Sequence, residues 1–83
     1  MKIPTLHLNG SSKESLREQL MDAYTGVRKA IDAVCAAAPH GRDYYVQGPD
    51  AYPQARRDHE SRLARLKSVQ DEILAIWEGI DKS

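Results

Sequence analysis

The sequence predicts an all-α fold, a hairpin of two long antiparallel helices. Two stretches of the 83-residue chain carry apolar residues at steps of three and four, the spacing of one helix face. Pro39 separates these stretches, and residues 39–50 hold glycines and prolines that end helices. A chain this short buries a modest share of its surface by itself. We therefore expect a symmetric homo-oligomer in which hairpins pack side by side.

Residues 1–10 are predicted to form an extended N-terminal arm. Leu6 and Leu8 alternate with polar residues, as in a strand, and Asn9-Gly10 is a turn signal. A lone strand is unstable, so the arm is expected to lie on a helix or to pair with another copy. His7 falls on the polar side, and we interpret it as a surface or packing residue rather than a catalytic one.

The first helix is predicted over about residues 12–38. Ser11 followed by Glu14 matches a capping box, in which the two side chains satisfy the first free amides of a helix. Pro39 ends the helix. Gly26 is either a weak point or a place where another backbone approaches. The apolar residues form a narrow seam with a period of about 3.5 residues: Leu20, Tyr24, Val27, Ile31, Val34 and Ala38.

The second helix is predicted over about residues 51–81. Asp50 is placed to cap it, and Pro53 fits the first turn, where no amide hydrogen bond is needed. Its seam consists of Ala55, His59, Leu63, Leu66, Val69 or Gln70, Ile73, Ile76 or Trp77, and Ile80. Four apolar residues widen the two rows and would stay exposed in a single hairpin, which favours an oligomer: Leu16, Met21, Ile76 and Trp77.

Composition and charge exclude several classes of protein. Twelve Lys and Arg balance 12 Asp and Glu, so we expect no nucleic-acid polymer as a partner. No apolar run approaches the ~20 residues that span a bilayer, and no signal peptide is recognisable, which predicts a cytoplasmic protein without membrane contact. Cys35, the single cysteine, is interpreted as a small buried residue. The histidines lack the spacing of zinc ligands, so we expect no metal and no cofactor.

The candidate binding groups gather in residues 39–50 and the start of the second helix. This segment is longer than the ~2–8 residues that link antiparallel helices. Tyrosine rings stack on bases, arginine forks bind phosphate oxygens, and a helix start offers free amides to an anion. The candidate ligand-binding residues are His40, Gly41, Arg42, Tyr44, Tyr45, Tyr52, Arg56 and Arg57.

A structural role for the same segment is the alternative. In that case Tyr44, Tyr45 and Val46 fold back and close the end of the hairpin. Arg42 then pairs with Asp43 or Asp50. We favour ligand binding because the segment is long and because tyrosines, with their polar tips, suit a half-wet surface.

Catalytic signatures are absent from the sequence. It contains no GxxxxGK phosphate loop, no HExxH pair and no GxSxG elbow. Chorismate mutases are small helical dimers that use arginines, and Arg17, Arg28 and Arg56 fit that pattern weakly. A third helix and the lysine and glutamate arrangement of that family are missing. We therefore expect a protein that is not an enzyme and has no catalytic residues.

The layout resembles the small helical-hairpin proteins of bacteriophages known as anti-CBASS and anti-Thoeris sponges. The string from Pro39 to Tyr45, with Gly48 to Tyr52, is similar to that of small prophage proteins. The resemblance covers roughly residues 11–82. It implies a non-enzymatic phage anti-defence protein in the host cytoplasm, which forms symmetric oligomers and sequesters a nucleotide immune second messenger. That messenger is a cyclic oligonucleotide or a cyclic ADP-ribose-like molecule, held at subunit boundaries.

A helical protein–protein interaction module is the second hypothesis. Its exposed apolar row would engage a partner protein and inhibit or scaffold it.

Overall fold

Two long helices lie side by side and account for most of the chain. Helix α1 spans Lys13–Ala36, and helix α2 spans Ala51–Asp81. Between them lie two single 3₁₀ turns, Gly41–Asp43 and Tyr45–Gln47. The computed structural model describes all 83 residues and contains no strand. The predicted all-α hairpin is confirmed.

Contacts at the terminal end of the hairpin show that the helices are antiparallel. Arg17 Nη2 lies 3.1 Å from Asp81 Oδ1, and Lys13 Nζ donates a hydrogen bond of 3.0 Å to the carbonyl oxygen of Ser83. The Arg17 guanidinium also lies 5.4 Å from the centre of the Trp77 ring. The start of α1 is therefore tied to the end of α2. Of the four residues predicted to stay exposed in a single hairpin, Met21 is 38% exposed, whereas Leu16, Ile76 and Trp77 are half-buried.

The seam between the helices is thin. Only Ile31, Gln70 and Ile80 are buried, and the other seam residues are half-buried. The structure resolves one alternative left open by the spacing, because Gln70 faces the seam whereas Val69 is 44% exposed. The buried Nε2 atom of Gln70 has no hydrogen-bond partner. A polar side chain thus occupies the middle of the apolar contact.

The hairpin is elongated, measuring 62 × 20 × 17 Å. Its radius of gyration is 18.5 Å, against about 12 Å for a compact domain of this length. Its accessible surface is 6120 Å², against about 5,000 Å² for a compact monomer of the same mass. A single hairpin therefore leaves an unusually large share of its surface open. Neither helix is both long and apolar enough to cross a membrane.

The predicted capping box at the start of α1 is wrong by one residue. Ser12 is the N-cap, and its Oγ accepts a hydrogen bond of 3.1 Å from the amide of Ser15. Glu14 is then the second residue of the helix and cannot complete a box with Ser11. Its negative charge still lies in the first turn, where it interacts favourably with the helix dipole.

The end of α1 also differs from the prediction of residue 38. The helix ends at Ala36, and the amides of Ala37 and Ala38 bond to the carbonyls of Val34 and Cys35 at 3.0 and 3.2 Å. These bonds span three residues, so the last turn tightens ahead of Pro39, which disfavours helical backbone in the residue before it.

Cys35 is exposed, so the prediction that it is buried is wrong. It follows the seam residue Val34, and at that position a single neighbouring helix does not cover it.

The N-terminal arm forms no strand and lies on the end of α2. A Cβ atom added to Gly79 would lie 2.9 Å from Ile3 Cγ2, so the arm fits there only because Gly79 has no side chain. Leu8, in contrast, is 98% exposed. The arm is expected to lie on a helix or to pair with another copy, and in this structure it contacts a helix.

Candidate ligand-binding site

Local hydrogen bonds give the segment between the helices a defined backbone. The amide of Tyr44 bonds to the carbonyl of Gly41 at 3.0 Å, and that of Gln47 bonds to Tyr44 at 2.9 Å. Gly48 then turns the chain with φ of 112°, a conformation that strains any residue with a side chain. Backbone amides in these turns bond to backbone carbonyls, so side chains are not needed as their partners and can face outward.

One open cleft lies against this segment, and we call it the tyrosine cleft. It encloses about 630 Å³, a volume within the usual range for small-molecule sites. Tyr45 is 75% exposed, so its ring is available from solvent. The residues that line the tyrosine cleft are Gly41, Tyr45, Gly48, Pro49, Tyr52 and Pro53.

A second, smaller cavity of about 220 Å³ adjoins the tyrosine cleft, and we call it the arginine pocket. Tyr52 and Pro53 line both, so the two cavities are neighbours at the start of α2. The arginine pocket adds Arg56, Arg57 and Glu60. A flat aromatic surface thus leads directly to two cations on the first turns of α2.

The two arginines make only exposed contacts within the chain. The Arg56 guanidinium lies 5.9 Å from the centre of the Tyr52 ring, and its Nη2 atom lies 3.6 Å from Glu60 Oε1. Arg57 Nη2 donates a hydrogen bond of 2.8 Å to Gln54 Oε1. Exposed ion pairs contribute about 0–1 kcal/mol, so an anionic ligand can replace them at little cost.

The start of α2 lacks the side-chain cap that the sequence predicts. Asp50 occupies the N-cap position, but its side chain accepts no amide hydrogen bond, and its backbone is helical, with φ −91° and ψ −11°. The amide of Tyr52 makes no hydrogen bond. A free amide and the positive end of the helix dipole therefore remain beside the tyrosine cleft.

Tyr44 lies apart from the tyrosine cleft. It lines a third cavity of about 360 Å³, the Tyr44 pocket, together with Pro39, Asp58 and Arg62 among others. The rings of Tyr44 and Tyr52 are 6.4 Å apart and tilted by 42°. Tyr44 therefore supports the position of Tyr52 rather than lining the same surface.

His40 and Arg42 are exposed and line none of the three cavities. Arg42 forms no ion pair, so the alternative pairing with Asp43 or Asp50 is absent. The structure thus brings together Gly41, Tyr45, Tyr52, Arg56 and Arg57 of the eight predicted residues. It does not place the other three with them.

Sequence reasoning missed three residues of this surface, Pro49, Pro53 and Glu60. Glu60 lies four residues after Arg56, and this spacing on a helix is a recognisable signal for an ion pair. The prolines were identified only as helix punctuation, although their rings also form cleft walls.

No three His, Cys, Asp or Glu side chains are grouped as metal ligands. Comparisons with models of protein families, with characterised proteins and with solved structures find no match to this chain. The tyrosine cleft and the arginine pocket are therefore the features from which a function is inferred.

Proposed function

We propose that this chain is a non-enzymatic bacteriophage anti-defence protein that binds and sequesters a nucleotide immune second messenger in the host cytoplasm. The ligand is a cyclic oligonucleotide or a cyclic ADP-ribose-like molecule. One observation carries the proposal: an exposed cleft lined by Tyr45 and Tyr52 adjoins a pocket lined by Arg56 and Arg57.

The tyrosine cleft supplies the groups that bind a base. Tyr45 is exposed, and Gly41 and Gly48 keep the floor free of side chains, so a planar ring can approach the phenol face. Stacking of a base on an aromatic side chain contributes about 1–3 kcal/mol. In this arrangement the base stacks on Tyr45, and the sugar lies toward Tyr52.

The arginine pocket supplies the groups that bind phosphate. Arg56 and Arg57 present planar guanidinium groups that can donate two hydrogen bonds to one phosphate. The free amide of Tyr52 adds a third donor.

Sequestration requires tight, stoichiometric capture. A Kd of 10 nM corresponds to about −11 kcal/mol. The stacked base and two or three charge-assisted hydrogen bonds contribute about 1–3 kcal/mol each, from which the free energy lost on association is subtracted. A homo-oligomer with several clefts would then lower the free messenger concentration in proportion to the number of copies.

Isothermal titration calorimetry with the full chain tests this proposal. The panel contains cyclic dinucleotides, cyclic trinucleotides and cyclic ADP-ribose isomers, each at 25 °C in low-salt buffer. We expect one panel member to bind with a Kd below about 1 µM, and chromatography of the released ligand to return it unchanged. Failure of every panel member to bind, or recovery of a cleaved product, would contradict the proposal.

A second candidate function is the interaction module, in which an apolar face engages a partner protein. It is favoured by the exposed apolar residues Met21 and Val69, at 38% and 44%. If the chain has this second function, substitution of Tyr45 leaves binding of the partner protein unchanged. A substitution of Tyr45 therefore distinguishes the two candidate functions.

A further inference from the structure

One side of α1, next to the seam, carries only small residues at steps of three and four. They are Ala23, Gly26, Ala30, Ala33 and Ala37. Ala37 lines the Tyr44 pocket together with Ala55, Asp58 and Arg62 of α2. The small residues of α1 and the α2 row of Ala55, Asp58 and Arg62 therefore lie on the same side of the hairpin.

The α2 row changes character toward the terminal end. From Arg62, steps of three and four residues stay on the same side of the helix and reach Arg65, Val69, Ile73 and Ile76. The row of small residues thus runs beside an α2 row that is charged up to Arg65 and apolar from Val69 onward. We call the two rows together the alanine face.

The alanine face is open. No atom lies within 4 Å of a Cβ added to Gly26. Ala33 and Ala37 are exposed, and Val69 is 44% exposed. The half of this face near the chain termini is apolar, whereas the half near residues 39–50 carries Asp58, Arg62 and Arg65. The opposite side of the hairpin holds Arg56 and Glu60.

We propose that a second copy of this chain covers the alanine face, related by a two-fold axis parallel to the long axis of the hairpin. A two-fold contact requires a self-complementary surface. The alanine face meets this requirement, because the same rotation lays the small row of each copy against the large row of the other.

The register supports this fit. The contacts of Lys13 with Ser83 and of Arg17 with Asp81 show which residues of the two helices lie at the same level. At equal levels the partner's Ile73 faces the space between Ala23 and Gly26. The large side chains then enter positions where α1 has little volume, as in knobs-into-holes packing.

The exposed area agrees with one such contact. The accessible surface of 6120 Å² exceeds that of a compact monomer of this mass by about 1,100 Å². Stable interfaces remove roughly 800 Å² from each partner. One contact with a second copy would therefore remove most of this excess.

The inference rests on the homo-oligomer of the proposed function and not on its ligand. Arg56 and Glu60 lie on the other side of α2 from Asp58 and Arg62, because residues two positions apart on a helix point in nearly opposite directions. The two pairs accordingly line different cavities. The tyrosine cleft of each copy consequently stays on the outside of the pair. Each chain then binds one ligand without help from its partner.

Sedimentation equilibrium of the full chain tests the inference, with Gly26→Arg as the variant and Thr25→Arg as its control. Arginine at position 26 meets no atom within one chain and favours helix more than glycine does, so the hairpin still folds. Thr25 is exposed and points away from the alanine face.

We expect the wild type and Thr25→Arg to sediment as pairs of the 9.3 kDa chain at 100 µM. Gly26→Arg should sediment as a single chain, with a dissociation constant of the pair at least tenfold higher than that of the wild type. A monomeric wild type, a larger assembly, or equal effects of the two variants would overturn the inference. Calorimetry on the same samples distinguishes failure of the inference from failure of the proposed function. A pair that binds no panel ligand contradicts only the proposed function.

Discussion

Substitution of Tyr45 by alanine separates ligand binding from folding. The side chain is 75% exposed, so its removal should change the free energy of unfolding by less than about 0.5 kcal/mol. If a base stacks on the ring, the loss is about 1–3 kcal/mol of binding free energy. That range corresponds to affinity about 5- to 150-fold weaker.

Val46 provides a matched control for this substitution. It is the next residue, is 77% exposed and lines none of the cavities. We expect Val46→Ala to bind within about twofold of the wild type, and Tyr45→Phe to retain most of the affinity because the aromatic face remains. Titration calorimetry gives the affinities, and urea unfolding followed by circular dichroism gives the stabilities.

Three outcomes would refute the stacking role. Affinity could be unchanged in Tyr45→Ala, or lost equally in Val46→Ala. Alternatively, Tyr45→Ala could unfold the chain, which would show that the ring supports the fold instead of meeting a ligand.

Three further substitutions test other parts of the account. Ser12→Ala should lower the free energy of unfolding by about 1 kcal/mol, whereas Ser11→Ala should leave it nearly unchanged; thermal denaturation would reveal a reversed order. Gln70→Leu should raise stability by about 1 kcal/mol in urea unfolding, because it removes a buried amide without a partner. A loss of stability would show that this amide is satisfied. Glu60→Gln should bind the anionic ligand up to about fivefold more tightly, because Arg56 loses its competing carboxylate. Weaker binding would contradict this competition.

The helices follow from the sequence because their seams repeat over many turns. Helix α2 begins at Ala51 and ends at Asp81, the bounds expected from its apolar row and its start signals. Helix α1 ends two residues before the predicted position, because Pro39 disfavours helical backbone at Ala38 and the amides of Ala37 and Ala38 bond to carbonyls three residues back.

Single positions are harder to predict where two neighbours satisfy the same pattern. Ser11 and Ser12 are both good caps, and only the backbone geometry selects Ser12. Val69 and Gln70 both fit the step of three or four, and hydrophobicity favours the wrong one. Cys35 looked buried by residue type, although one neighbouring helix covers only a narrow strip.

The candidate site likewise combines residues that helical spacing predicts with residues that it does not. Tyr52, Arg56 and Arg57 are placed by helical spacing, which the sequence encodes. Arg42 and Tyr45 lie in 3₁₀ turns, where the direction of a side chain depends on local backbone angles rather than on a repeat. Proximity in sequence therefore grouped Arg42 with Tyr45, whereas the cleft contains only Tyr45.

Nuclear magnetic resonance gives the most direct test of the cleft as a recognition surface. A ¹⁵N-labelled full chain is titrated with the panel of cyclic nucleotides, and amide shifts are assigned by residue. The account predicts saturable shifts concentrated between Gly41 and Arg57, with the amide of Tyr52 among the largest. Shifts confined to the alanine face, or none at millimolar ligand across the panel, would contradict it.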